Sequence, residues 1–459
     1  MIRRIIIFVF FSCFSNVCFI HAQAVADTLY PETFLQIIKE YHPAVKNAML
    51  NTFDYNAANL RKARGMFDPK ATFDLENKFF SGKNYFFRYE AAIKQPTITG
   101  IDLYAKYNFA NGFYLGNEYT VPPSGLYSIG AEIPLMQNLL YDQRRFHLQS
   151  AKLLHQNSDV FFNDQLIEIL SRLFAKYWDY VEKENIWRVY QQITDISYQR
   201  YLNVLKAVAT GEFAQIDTLD AGNQYNYFLL LAQKAQIEYM NARLDLLADL
   251  IGFTDTLFVA PVFDWLPDIP ISTDSNLWQN IPELKIYALK LDLLNFEKKY
   301  KQEMIKPKIN IRYNFLLQPF ANQYAYPFDM NNYKWGIEFS YPLLLRKERA
   351  DLKITKIKID QTRNEYFYKQ LQWQNKFRRY TGNYYAYRQQ FRQMTELANR
   401  YKLMLDAEIA KFQAGEGNLF YVNTREIYYA ENKIKAYQSG SKYFYYKTLL
   451  QILQEYSKP

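Results

Sequence analysis

The chain has very little cysteine and histidine, and this shortage removes most kinds of catalytic and metal site. Its 459 residues include 2 cysteines and 4 histidines. Both cysteines, Cys13 and Cys18, lie in the N-terminal segment 1–22, so a chain without that segment has no disulfide, cysteine nucleophile or thiolate ligand. His147 and His155 have no third ligand at metal spacing. No phosphate-binding loop, HExxH or GxSxG motif is present, and we therefore predict no enzyme activity, cofactor or metal site.

Long apolar stretches are also missing, except at the N-terminus. Arg3 and Arg4 precede an apolar run over residues 5–20, and the small residues Ala22 and Ala24 follow it. This pattern predicts a secretory signal peptide over residues 1–22, and a membrane anchor is the alternative interpretation. No other run approaches the about 18 apolar residues that a membrane-spanning helix needs, so we predict no such helix in the mature chain.

Charge is not concentrated in one sign or one place. The chain has 55 Lys and Arg against 46 Asp and Glu, a net charge of +9, and the two signs are mixed along helix-like stretches. That mixture is typical of solvated helix surfaces, so an exported chain of this kind is not expected to bind nucleic acid. Aromatic residues are abundant, with 41 Tyr and 35 Phe. They are typical of hydrated helix interfaces and membrane-interface belts, and they exclude a disordered chain.

Proline and glycine are absent from residues 135–210, so nothing in the local sequence forbids one long helix there. Apolar residues recur in it with the alternating four- and three-residue spacing of a coiled-coil seam. One row is Leu166, Leu173, Tyr180, Trp187, Tyr201 and Val208, and the other is Leu170, Tyr177, Tyr198 and Leu205. After Gly211 a second helix-like run covers residues 215–251, before Gly252. Residues 136–251 are therefore predicted to form a long antiparallel helical hairpin.

The second half of the chain repeats this plan. Residues 343–414 contain no proline and one glycine, and a helix-like run follows the turn Gly415-Glu416-Gly417. When Gly211 is placed on Gly415, three further pairs of apolar residues coincide, namely Leu173 with Phe377, Tyr201 with Leu405 and Val208 with Phe412. The shared register predicts an internal duplication, with a second hairpin over residues 343–454.

Before each hairpin, apolar and polar residues alternate with a period of two. No apolar helix pattern lies nearby to cover the apolar side, so residues 71–135 and 308–341 are predicted to supply strands of a transmembrane β-barrel. One face of a soluble β-domain is the alternative interpretation. The residues predicted to face lipid are Phe73, Leu75, Ile129, Ile133, Ile311, Tyr313, Ile337 and Phe339.

These patterns divide the chain into a signal peptide (1–22), a first structural repeat (23–252), a proline-containing linker (253–281) and a second structural repeat (282–459). Each repeat is a helix, a strand region and a long helical hairpin. One chain has too few strands to close a barrel, and an open strand edge cannot remain in lipid. Several copies must therefore close the wall together.

In this order of elements the chain resembles the TolC-like outer-membrane efflux protein family, over essentially the whole mature sequence. The matching residues are His42-Pro43 with the alanine-rich helix after it, Pro69 and Pro134 around the first strand region, Gly211 with Ile216-Asp217-Thr218-Leu219, and then Pro282, Pro307, Pro342 and Gly415. The resemblance implies a mainly α protein with transmembrane β-structure. It implies a homotrimer with one shared outer-membrane barrel, continued by an α-helical coiled-coil tunnel through the periplasm.

The chain departs from the family pattern in two places. The first repeat has an apparent extra hairpin over residues 86–108 where the family has two strands per repeat, and the sequence leaves open whether it joins the barrel wall. The second repeat has Tyr421 and Thr424 where the family often carries acidic residues near the closed periplasmic mouth, whereas the first repeat has Asp217 and Asp220 at the same offsets. The predicted periplasmic gate residues are Asp217, Asp220, Phe412 and Tyr421.

The two hairpin turns are the predicted contact for a partner in the periplasm. The residues of this contact are Gly211, Glu212, Phe213, Gly415, Glu416 and Gly417. The resemblance implies docking to a periplasmic membrane-fusion adaptor and to an inner-membrane pump of the RND or ABC type, so the expected function is an exit duct for efflux or type I secretion. A secreted or periplasmic coiled-coil scaffold or adhesin without a pore is the alternative. The sequence does not distinguish a drug, metal ion, siderophore or polypeptide as the cargo.

Overall fold

The computed structural model describes residues 27–250, 258–263, 266, 277–318 and 329–457. The predicted signal peptide, residue Gly252 and much of the predicted linker lie outside these residues. The described part is mainly helical, with one large antiparallel sheet and one short parallel strand pair. Within it, no helix is both long and apolar enough to cross a membrane.

The elements follow the order predicted from the two repeats. In the first half they are β1 (Asp27–Thr28), α1 (Pro31–Tyr41), α2 (Pro43–Met49), a π-helical turn (Leu50–Asp54), α3 (Tyr55–Gly65), β2 (Lys70–Phe80), β3 (Lys83–Pro96), β4 (Asp102–Asn111), β5 (Leu126–Pro134), α4 (Gln143–Gln156), α5 (Ser158–Ala209) and α6 (Gln215–Leu247). In the second half they are β6 (Phe258–Val259), α7 (Pro282–Glu303), β7 (Lys308–Leu317), β8 (Tyr333–Ser340), α8 (Arg346–Gln413) and α9 (Leu419–Tyr456).

The helices stand side by side as one layer of columns. At the end with the two glycine turns, α5 packs between α6 and α9, and α9 packs against α8. At the sheet end, α4 packs between α3 and α7, and α7 packs against α8. The 68-residue α8 is therefore lined by α7, of 22 residues, and α9, of 38 residues. This arrangement leaves α8 at one side of the layer, and α3 with α6 at the other.

The long helix of the first repeat is not continuous, which corrects the prediction for residues 135–210. Helix α4 ends before Asn157, whose backbone leaves the helical region at φ −113° and ψ 25°. The Asn157 side-chain amide donates to the carbonyl oxygen of Leu153 at 2.8 Å. Asn56, from the neighbouring α3, donates to the hydroxyl of Ser158 at 3.1 Å. Short polar side chains that bond to the backbone compete with helical hydrogen bonds, and here they stabilise a break.

The apolar row of α8 that the shared register predicts through Phe377 and Leu405 is buried, whereas the row predicted for α5 is buried only near the sheet end. The α8 residues at seven-residue spacing are buried, namely Phe377, Tyr384, Phe391, Ala398 and Leu405. In α5, Leu166, Leu173 and Tyr180 are buried, but Tyr198 and Leu205 are exposed. The buried face there has moved to Val189, Ile193, Ser197, Arg200 and Val204. A straight helix drifts by about 20° per heptad from a strict seven-residue repeat, which explains the shift.

The large sheet has six strands in the order β2-β3-β4-β5-β7-β8, and all neighbours are antiparallel. The hairpin that the sequence left unassigned, residues 86–108, forms most of β3 and β4 and lies inside this order. The first repeat therefore supplies four strands and the second supplies two. Among the described residues, the first repeat thus departs from the family pattern of two strands in each repeat.

The main core lies at mid-height, where both halves meet around α5. Phe34 of α1 stacks on Tyr177 of α5 with ring centroids 4.9 Å apart, and the Tyr177 hydroxyl donates to the Leu29 carbonyl at 2.7 Å. On the other side of α5, Trp178 stacks on Phe444 of α9 at 5.2 Å. Burial of such large rings is the dominant favourable term in packing the columns.

A described piece of the linker is bonded to α5 beside this core. Glu184 is buried, and one carboxylate oxygen accepts the Ala260 amide at 2.9 Å. Asn185 donates to the Pro261 carbonyl at 3.0 Å, and Arg188 donates to the Ala260 carbonyl at 3.2 Å. Strands β1 and β6 also pair in parallel there. The connection between the repeats is thereby held against the middle of the helical layer.

Candidate functional site

The two hairpin turns have the same backbone geometry. Gly211 and Gly415 have φ values of 84° and 77°, a left-handed conformation that glycine adopts without the strain of a side chain. In each turn the amide of the next residue, Glu212 or Glu416, bonds back to the helix, to the carbonyl of Ala207 at 2.9 Å or of Lys411 at 3.0 Å. The duplication seen in the sequence therefore extends to the hydrogen bonds of the turns.

The caps that follow the two turns use different side chains. In the first repeat, the Ala214 amide donates to the carboxylate of Asp217 at 3.0 Å. In the second repeat, the Phe420 amide donates to the side-chain oxygen of Asn418 at 2.8 Å. Both side chains satisfy amides at the start of a helix, which would otherwise have no partner. Asp217, a predicted gate residue, therefore has a structural role as a cap.

Two aromatic residues connect the tips of the hairpins. The ring of Phe213, in the first turn, stacks on Phe412, at the end of α8, with centroids 5.2 Å apart and planes 4° from parallel. The sequence assigned Phe213 to the partner contact and Phe412 to the gate, but the structure places them together. Gly417 packs closely against the backbone of Phe412. A Cβ added to Gly417 would lie 2.6 Å from the Phe412 backbone nitrogen, so a side chain does not fit there.

A groove lies between the hairpins beside this aromatic pair. Its volume is about 570 Å³, and it is open to solvent along the surface between α5 and α8. The lining is apolar along much of its length with polar residues at intervals; it includes Ile196, Gln199, Asn203, Val204, Phe213, Ile409 and Phe412. A groove of this shape and lining can receive a helical or loop segment of a partner protein.

A buried ion pair joins α5 and α9 near the groove. Arg200 and Glu426 are 9% and 1% exposed, and the guanidinium donates to the carboxylate through two nitrogens, with Nη1 to Oε1 at 3.1 Å. Ser197 donates to Oε2 of the same carboxylate at 3.1 Å. The sequence patterns did not predict this pair. A signal was present in the sequence, because Arg200 lies three residues after Ser197 and four before Val204, within the buried row of α5.

The two aspartates of the predicted gate do not contact Arg200. Asp220 is exposed and accepts a hydrogen bond from Asn423 of α9 at 3.1 Å. Tyr421 is also exposed. Glu426 occupies the Arg200 guanidinium, so Arg200 does not compensate the charge of Asp217 or Asp220. Whether these residues form a gate stays a prediction.

Nearer the sheet end of the helices, a group of charged residues lies where α5, α7 and α8 meet. Burial raises the pKa of Asp164 to about 6, and the carboxylates of Glu283 and Glu168 raise it further against the opposing effect of Lys369 and Lys376. Glu283 itself is paired with Lys369, at 2.7 Å. Asp164 thus takes up a proton in the folded chain at a pH where an ordinary carboxyl group is ionised.

The sheet register places all eight predicted lipid-facing residues on one face. Directly opposed residues in antiparallel strands share a face, and Ile133, Ile311 and Ile337 are opposed across β5, β7 and β8. This face is uncovered, since Phe73 is 63% exposed and Phe339 is 67% exposed. The remaining members of the predicted set on this face are Leu75, Ile129 and Tyr313.

The opposite face of the sheet is polar and carries ion pairs across neighbouring strands. Arg88 pairs with Glu76 at 2.6 Å between β3 and β2, and Lys106 pairs with Glu90 at 2.7 Å between β4 and β3. On the same face, at the other end of the strand order, Lys308 of β7 pairs with Glu338 of β8 at 2.8 Å. An apolar face backed by a charged face is the pattern of a sheet with lipid on one side and water on the other.

This layer of amphipathic strands above long helical columns is the fold of outer-membrane channel proteins. The structure of the outer-membrane channel OprN matches with a TM-score of 0.67 at 12% identity, over 93% of this chain and 90% of that one. The CmeC channel of Campylobacter jejuni matches with a TM-score of 0.62 at 12% identity, over 93% and 85% of the chains. VceC of Vibrio cholerae matches with a TM-score of 0.64 at 11% identity, over 92% and 95%.

The resemblance to TolC-like proteins stated from the sequence is thereby confirmed at the level of the fold. No protein-family model matches the sequence, and no curated protein matches it. The identity to the solved channels is so low that the likeness lies in the arrangement of elements, which the heptad spacing and the two glycine turns maintain.

Proposed function

We propose that the protein is an outer-membrane channel that passively conducts substrates out of the periplasm, as the exit duct of a tripartite efflux or type I secretion system. The single observation that carries this proposal is the six-stranded sheet with an uncovered apolar face and an ion-paired polar face. A scaffold or adhesin without a pore has no use for such a sheet. The fold shared with solved outer-membrane channels supports the same function.

Closure of the channel requires further copies, and the sides of the molecule support a homotrimer. Strands β2 and β8 end the sheet and have unpaired edges among the described residues. Edges of this kind cannot face lipid. Strand β8 of one copy can pair with β2 of the next, because a heterologous contact of this type closes into a ring.

The helical columns have matching apolar rows at the same two sides. Helix α6 exposes Ile216, Leu230, Ile237 and Leu244 at multiples of seven residues. Helix α8, at the other side, exposes Leu397, Leu403 and Met404 toward its C-terminal end, at the level of α6. Rows of this kind are typical of coiled-coil seams, and no helix of the described part of the chain covers them. We infer that α8 of one copy packs against α6 of the next below the barrel, which forms a periplasmic tunnel.

The groove beside Phe213 and Phe412 is the proposed docking place for a periplasmic adaptor, which would couple the channel to an inner-membrane pump of the RND or ABC type. A partner bound there, between the turns Gly211–Phe213 and Gly415–Gly417, would lie at the end of the tunnel. The exposed carboxylates of Glu212 and Glu416 favour a partner with basic residues. The pump rather than the duct is expected to select the cargo.

Fractionation and electrical recording test the proposal together. The mature protein should be recovered from the outer membrane as a trimer that withstands detergent and dissociates on heating, and it should conduct ions in planar bilayers. Recovery as a soluble monomer from the periplasm would reject both the channel and the trimer. A membrane-bound trimer that never conducts, with and without its adaptor, would favour the scaffold.

A further inference from the structure

We propose that the barrel of this protein has eighteen strands, six from each of three copies, and that its outer mouth admits bulkier solutes than the twelve-stranded barrel that the family resemblance implies. The inference rests on the proposed function, because it requires a trimeric channel. It departs from the family pattern through β3 and β4, which the structure places inside the wall.

The pairing of β3 and β4 is as extensive as that of the other strands. Strand β3 pairs with β2 from Lys70 opposite Lys94 to Phe80 opposite Lys83, and β4 pairs with β5 from Asp102 opposite Glu132 to Asn108 opposite Leu126. Strands β2 and β5 are not neighbours in this sheet. A hairpin that folded away as a loop would leave β2 and β5 to pair with each other.

Both faces of the sheet continue through the two added strands. One row of directly opposed residues crosses the four strands from β2 to β5 on the apolar face. It consists of Ala71, Ile93, Ala105 and Ile129. Ile93 is 53% exposed, as a residue facing lipid would be. On the other face, the ion pairs described above connect β2 to β3 and β3 to β4. Each added strand therefore has one side suited to lipid and one suited to water.

The residues around the turn between β3 and β4 are bonded to the ends of helices α3 and α4. Gln95 donates to the Phe67 carbonyl, after α3, at 2.7 Å. Asp102, at the start of β4, pairs with Arg144 of α4 at 2.8 Å and with Lys94 of β3 at 2.7 Å. These bonds hold the added strands at the same level as β5, whose last residues precede α4. A lid or an extracellular loop would not be bonded to the helical end of the sheet.

The added strands change the width of the barrel. Strands about 4.8 Å apart and tilted by about 40° close at a backbone radius of about 12 Å for twelve strands and about 18 Å for eighteen. The cross-section at the backbone is then about twice as large. An eighteen-stranded wall leaves an aqueous channel even when long side chains line it.

Cysteine pairs in the full-length protein test the strand order, since both native cysteines lie in the predicted signal peptide. The pair Ala105→Cys with Ile129→Cys should form a disulfide within one chain, because these residues are directly opposed. The pair Ala71→Cys with Ile129→Cys should not, because three strand spacings of about 4.8 Å exceed the reach of a disulfide. A disulfide in the second pair and none in the first would overturn the inference while leaving the trimeric channel intact.

A deletion variant tests the width. Removal of residues 83–111 leaves β2 and β5 as antiparallel neighbours and should give a twelve-stranded trimer. Asn314→Cys on the polar face is labelled from outside the cell with polyethylene glycol maleimides of increasing size. The largest reagent that reacts should be smaller in the deletion variant than in the full-length protein. An unchanged size limit would contradict the inference.

If the full-length protein is not an outer-membrane trimer, the proposed function itself fails, and the trimer assay shows this separately. The cysteine pairs decide the strand order even if the deletion variant does not assemble.

Discussion

The two repeats of this chain differ most where they meet the sheet and least at their glycine turns. The first repeat supplies four strands and a long helix broken at Asn157, and the second supplies two strands and an unbroken 68-residue helix. The turns at Gly211 and Gly415 have the same hydrogen bonds. The comparison indicates that the two repeats keep the same backbone geometry at their turns and differ at the sheet end, where they supply different numbers of strands.

The largest effect is expected from breaking the ion pair that ties the two repeats together. Glu426→Gln leaves the Arg200 guanidinium buried without a counter-charge, which typically costs about 3–5 kcal/mol. We expect urea unfolding, followed by helical circular dichroism, to shift by that amount. Glu416→Gln, at the exposed turn, is the matched control and should change little. Equal shifts for both variants would mean that the pair does not hold the hairpins together.

The next largest effect compares the apolar face of the sheet in the two repeats. Ile133→Arg in the first repeat and Ile337→Arg in the second should each cost about 2–4 kcal/mol if both lie near the bilayer midplane. The two residues lie in one row across the sheet, on either side of Ile311. The yield of heat-dissociable trimer measures the cost, and Ser340→Arg, on the polar face, should be mild.

Different costs for Ile133→Arg and Ile337→Arg would show that the two repeats sit at different depths in the membrane. Costs as large for Ser340→Arg as for the isoleucine variants would instead indicate a soluble sheet, because both faces of a soluble sheet lack lipid contact.

A smaller effect separates capping from gating at the turns. Asp217→Ala and Asn418→Ala each remove a helix cap and should destabilise the protein by about 1 kcal/mol. Only Asp217 carries charge, and three copies would place several carboxylates near one axis. We therefore expect Asp217→Ala alone to alter single-channel conductance or block by divalent cations. Asp245→Ala, further along α6, is the control for loss of charge.

Unchanged conductance and cation block in the Asp217→Ala protein would limit Asp217 to its capping role. The gate would then have to lie elsewhere, and the aromatic residues Phe412 and Tyr421 are the remaining candidates of the predicted set. Phe412 would act together with Phe213, on which it stacks.

A further effect is a pH dependence at the contact between the repeats. The pKa of Asp164 is raised to about 6 from an ordinary value near 4, so the folded chain binds more protons than the unfolded chain between these values. Stability should therefore fall as the pH rises through about 4 to 6. Asp164→Asn should raise the Tm at pH 7 and flatten its dependence on pH in this window. A parallel pH profile for the variant and the unaltered protein would contradict this account.

Several structural features could be predicted from particular residues. Gly211 and Gly415 marked the turns, the seven-residue spacing from Phe377 to Leu405 marked the buried face of α8, and the alternation around Ile133 and Ile337 gave their common face. These predictions depend on local backbone geometry and on a period that the sequence displays directly. Arg200 was missed as the partner of Glu426 because the predicted register of α5 did not include the drift of a straight helix.

The sequence by itself determined the repeated order of elements, the two turns and the side of each strand that is apolar, because these follow from helix and strand periods and from glycine. Only the tertiary structure decided which elements are neighbours. The stack of Phe213 on Phe412, the pair of Arg200 with Glu426 and the place of β3 and β4 between β2 and β5 all join residues far apart in the chain. Such contacts arise from the packing of surfaces, and no local pattern in the chain specifies them.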